Sequence, residues 1–67
     1  MQIRKSYSQG EHTYISFKTE AEAMAHFNQE KAHLIGYISE PWELESTEDS
    51  LTVWDGDTVA YQVILIK

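Results

Sequence analysis

The sequence predicts an α+β domain in which one antiparallel, twisted sheet carries a single helix on a face. Three observations predict it. Segments of β-branched, aromatic or alternating character lie on both sides of one segment with helical periodicity. Turn chemistry at residues 8–12, 48–50 and 55–57 separates the extended segments. A length of 67 residues makes one domain, residues 1–67, and no more. The expected order is ββα followed by three or four strands. A sheet curled into a small β-barrel with one helix is the alternative.

Residues 2–7 (Gln-Ile-Arg-Lys-Ser-Tyr) read as a strand of weak alternation. Ser8 to His12 supplies a turn in which Gly10 is free to take positive φ. Residues 13–17 are rich in β-branched and aromatic types, so the two runs pair as a hairpin. The helix is the best-signalled element. Thr19 is an N-cap, and Glu22 three residues on completes a capping box. Glu20 and Glu22 suit the positive end of the helix dipole. The periodicity places Met24, Phe27, Lys31, Leu34 and Ile35 inward, and Glu22, His26, Gln29, Glu30 and His33 outward. Gly36 is the expected left-handed cap, and Lys31 and His33 are expected to complement the C-terminal end.

A short strand is expected next, from residue 35 or 36 to 39, broken by Glu40-Pro41. Residues 42–47 alternate, which turns Trp42 and Leu44 inward and Glu43 and Glu45 outward. Residues 51–54 form a strand, and Asp55-Gly56-Asp57 is a hairpin signal. In residues 58–66, Val59, Tyr61, Val63 and Leu65 share one face, and Ala60, Gln62, Ile64 and Ile66 share the other. A strand apolar on both faces belongs in the middle of a sheet. One helix covers one face, so curling or association is expected to cover the second.

Composition excludes several classes of function. No apolar run is long enough for a membrane span. The N-terminus lacks the apolar stretch of a signal peptide, and no cysteine is present for disulfides or thiolate metal sites. A secreted domain this small usually needs such staples, so a cytoplasmic location is expected. Glycines 10, 36 and 56 are isolated, so no phosphate-cradling loop exists. No nucleophile elbow, calcium loop or cofactor motif is present. An enzyme is therefore not expected, and no cofactor.

Charge is the most informative feature. Residues 1–31 hold four bases and four acids. Residues 32–67 hold Glu40, Glu43, Glu45, Glu48, Asp49, Asp55 and Asp57 against Lys67 alone, so the whole net charge of −6 resides there. Without a basic patch, direct binding of nucleic acid or of an anionic membrane is disfavoured. A one-sided acidic surface attracts basic proteins and speeds encounter. The expected function is a small protein-binding module that docks these seven acids, with Trp54 as aromatic anchor, on a basic partner. An inhibitor from a phage or mobile element that mimics nucleic acid is the sharper form. The first alternative is a structural homodimer associating through Ile64 and Ile66. The second is a metal or small-ligand domain using His26 and His33, although facing ligands from a second helix are absent.

Overall fold

The computed structural model describes residues 1–67 throughout. The elements are β1 (Gln2–Tyr7), β2 (His12–Ser16), α1 (Glu20–Tyr37), β3 (Trp42–Ser46), β4 (Ser50–Asp55) and β5 (Thr58–Ile66). All strands pair antiparallel in the order β2-β1-β5-β4-β3. The longest and most apolar strand, β5, takes the central place. The sheet is open, with β2 and β3 as its edges. The barrel alternative does not form. The edge strands β2 and β3 do not pair with each other, so the sheet stays unclosed.

Turn chemistry acts where glycine is required. Gly10 (φ 91°) and Gly56 (φ 63°) occupy the left-handed region in the β1–β2 and β4–β5 turns. The helix starts as its cap demands. The Glu22 amide donates to Thr19 Oγ1 at 3.2 Å, and the Thr19 hydroxyl donates to the Glu22 carboxylate at 3.1 Å.

The other helix end departs from expectation. The helix continues through Gly36 to Tyr37, and Ile38 closes it in extended conformation, its amide donating to the Leu34 carbonyl. Gly36 is no left-handed cap, and residues 35–37 form no strand. Ile38 ends the helix because its side chain packs against the core. The final turn contains no base, since Lys31 and His33 precede it. The Glu40–Pro41 peptide is cis and leads the chain into β3.

The helix also sits rotated from the expected stripe. Ala23, Phe27 and Leu34 are buried, whereas Ile35 is 62% exposed. Ala23 is small enough to let the helix approach the sheet. Glu30 lies along the same inward stripe, three residues from Phe27. It ion-pairs with Lys5, which stands on the helix-facing side of β1 beside Val63. The two side chains are only 14% and 20% exposed. His26, also expected outward, is half-buried against Phe17, with ring centroids 5.4 Å apart.

The sheet supplies Ile3, Leu51, Val53, Val63 and Leu65 to the core. A bulge interrupts β4–β5: Val53 pairs with Tyr61 and Trp54 with Val59. Ala60 is the unpaired residue, and it packs against the core. The bulge moves Val59 to the face of Trp54, so Val59 does not share the face of Tyr61 as strict alternation implies.

Substituting Glu30→Ala strands the Lys5 ammonium under the helix. The expected loss is about 1–3 kcal/mol, below the range for a fully buried pair because water reaches both groups. Thermal unfolding should register a fall of roughly 5–15 °C. The double variant Lys5→Met/Glu30→Leu should recover most of it, because no charge is then left unpaired.

Candidate functional site

Alternation along β3 points Glu43 and Glu45 to the sheet face away from the helix, and Trp42 and Leu44 towards it. Cross-strand register places Glu43 opposite Trp54 and Glu45 opposite Thr52. The Trp54 indole Nε1 lies 3.5 Å from Glu45 Oε1, a long contact. The half-buried Trp54 ring is thus held beside two carboxylates on the open face. These three residues form the compact centre of the acidic region.

The other acids frame it at both ends. Glu48 and Asp49 occupy the β3–β4 turn, where the Thr47 hydroxyl donates to Asp49 Oδ1 at 3.2 Å and accepts from the Ser50 amide at 3.1 Å. Asp55 and Asp57 flank Gly56 at the opposite end. Glu40 precedes β3 at that same end, where Trp42 pairs with Asp55. All seven carboxylates are exposed, and none takes part in an ion pair. Their charge remains available to a partner.

The open face is more polar than β5 alone implies. One row crosses all five strands as His12, Ser6, Gln62, Thr52 and Glu45. Ser6 and His12 hydrogen-bond at 2.8 Å, and the Gln62 amide donates to the Thr52 hydroxyl at 3.1 Å. Ile64 lies between Arg4 and Ser50, and Ile66 is opposite Gln2. Both isoleucines are half-buried by neighbours within the sheet. The neighbouring strands, which β5 by itself does not reveal, supply this polar cover.

His26 and His33 border one shallow polar depression with Gln29 and Glu30, and His26 Nε2 lies 3.8 Å from Glu30 Oε1. His26 lies against Phe17, whereas His33 stacks on Tyr37 at a centroid distance of 5.3 Å. No group of three or more His, Asp or Glu side chains is placed to hold a metal ion. No helix is long and apolar enough to cross a membrane.

A second feature escapes sequence reading altogether. A cleft of about 530 Å³ opens between the C-terminal half of α1 and the sheet. Tyr7 and Tyr61 form the sheet wall, with ring centroids 5.2 Å apart. His33 and Tyr37 form the helix wall, and Trp42 comes from the start of β3. The only carboxylate in the lining is Glu40, and no lysine or arginine lines it. The aromatic content was legible, but its convergence depends on the helix reaching Tyr37 and on the chain reversal at Pro41.

Burial pushes the Tyr61 phenol above the ordinary tyrosine range, and the nearby Glu30 and Tyr7 act in the same direction. The native state therefore holds the Tyr61 proton more tightly than the unfolded chain, whose phenol ionises near pH 10. Stability from this group is intact below that pH and is lost as pH rises towards the folded value. An ultraviolet titration should show one phenol ionising late, together with alkaline unfolding. Tyr61→Phe should remove that step and flatten stability above pH ~10.

No family model, curated protein or solved structure matches this chain.

Proposed function

We propose that this domain is a non-enzymatic protein-binding module that docks its acidic β3 edge on a basic segment of a partner. The observation that supports this reading most is the conjunction of an unpaired edge strand with seven exposed carboxylates that have no cationic partner. An edge strand offers free amides and carbonyls to an extended chain, and this is a recurrent mode of peptide capture. Alternating lysine or arginine side chains of such a chain would meet Glu43 and Glu45. Trp54 would take their aliphatic stems or a guanidinium plane. The same carboxylates oppose edge-to-edge pairing of two copies through β3, since like charges would face each other. The β2 edge lacks this character: β2 itself carries no carboxylate, and Glu11 before it is matched by Lys18 after it. Where the partner's basic surface serves nucleic acid, occupation by these carboxylates amounts to inhibition by mimicry.

Affinity capture from lysate tests the reading when charge is reversed at two places. The wild-type domain and an E11K/E20K control should retain the same basic protein and release it at moderate salt. E43K/E45K should lose it at least roughly tenfold, a loss of ~1.4 kcal/mol. Equal retention by all three, or retention indifferent to salt, overturns the reading.

A second reading, homodimerisation, draws on the open sheet face. Arg4 stands on one side of Ile64 and Ile66, and Glu43 and Glu45 stand on the other. A two-fold axis through β5 would bring opposite charges together over the isoleucines. This reading expects a concentration-dependent mass that Ile64→Lys abolishes, and a monomer at high concentration excludes it.

A further inference from the structure

We propose that the cleft between the end of α1 and the sheet is a binding site for a small organic cation with a trimethylammonium head group. The ring pairs Tyr7/Tyr61 and His33/Tyr37, with Trp42, bring aromatic surface to one concavity from the sheet, the helix and the start of β3. Three of the four most exposed tyrosine and tryptophan rings lie there: Tyr37 is 79%, Trp42 46% and Tyr7 42% exposed, while Tyr14, at 56%, stands on the far sheet face. Apolar surface gathered into one concavity, unlike rings scattered singly, marks a binding site. The volume of about 530 Å³ lies within the range of small-molecule sites.

The charge of the lining selects the ligand. Glu40 is its only carboxylate, it contains no lysine or arginine, and the Trp42 partner across the strand pair is Asp55. An anion is therefore repelled, and a cation gains from the negative faces of the rings. The number of hydrogen-bond acceptors then decides between cations. A primary ammonium carries three donors and a strongly held hydration shell, which the scattered acceptors of this lining, such as Glu40, Ser39 and His33, replace only in part. A trimethylammonium has no N–H to satisfy, so its methyl groups can lie against the rings while Glu40 balances the charge.

Titration of the whole chain with choline, followed by resonances of the aromatic rings, tests the proposal. Choline should shift Tyr7, Tyr37 and Trp42 signals with a Kd of roughly millimolar or tighter. Its uncharged carbon isostere, 3,3-dimethyl-1-butanol, and ethanolamine should each bind at least roughly tenfold more weakly. Trp42→Ala and Glu40→Gln should weaken choline similarly, whereas Tyr14→Ala, on the far sheet face, should not. Melting temperatures within about 2 °C of wild type confirm that the variants fold. A trimethyllysine peptide that binds more tightly than choline assigns the head group to a partner's side chain, and weaker binding assigns it to a free molecule. Equal binding of the neutral isostere, or no response to choline, overturns the proposal. E43K/E45K should leave choline binding intact, which separates this site from the acidic edge.

Discussion

A single helix has to bury one face of a five-stranded sheet, and the rest of the molecule depends on that mismatch. An 18-residue helix is about 27 Å long and about 10 Å wide. The outer axes of five strands lie about 19 Å apart. The helix therefore covers the middle of one face and little else. Core residues come from the central strands β1, β4 and β5, while the edge strands contribute only partly buried groups such as Ile15 and Leu44. Lys5 and Glu30 close the contact where an apolar pair would otherwise be expected, and they fix the helix rotation by their mutual need for a partner.

Three uncovered regions follow from this geometry. The far sheet face has no second layer, and rows of hydroxyl, amide and carboxylate groups keep it compatible with water. The helix end overhangs the sheet and leaves an aromatic cleft beneath it. The β3 edge has neither a strand nor a helix against it, and it bears the acids. A large net charge on one side costs some self-repulsion in the compact state. Here that repulsion is not relieved by internal ion pairs, and the proposal of a basic partner rests on that observation.

Much of this was legible because local signals and tertiary demands agree. Thr19 and Glu22 mark a cap, Gly56 marks a hairpin, and the apolar length of residues 58–66 marks a central strand. The helix end was misread because Gly36 resembles a terminator, while the deciding contact is the packing of Ile38. The helix face was misread for a related reason. A charged residue is ordinarily placed outward, and the inward Glu30 makes sense only once Lys5 is seen beneath it. Pairing register, the bulge at Ala60 and the convergence of Tyr7, Tyr37, Trp42 and Tyr61 are non-local, and no single stretch of sequence contains them. Of the acidic residues, the pairing of Glu43 and Glu45 with Trp54 follows from alternation and the hairpin. Their place on a free edge does not, because it depends on strand order.

Hydrogen–deuterium exchange of the domain, alone and with the basic protein that affinity capture is proposed to yield, tests the edge-docking account most directly. The account predicts that protection rises across Trp42–Ser46, with little change in His12–Ser16 at the opposite edge. Protection gained at the β2 edge or along the helix, with β3 unchanged, would contradict it.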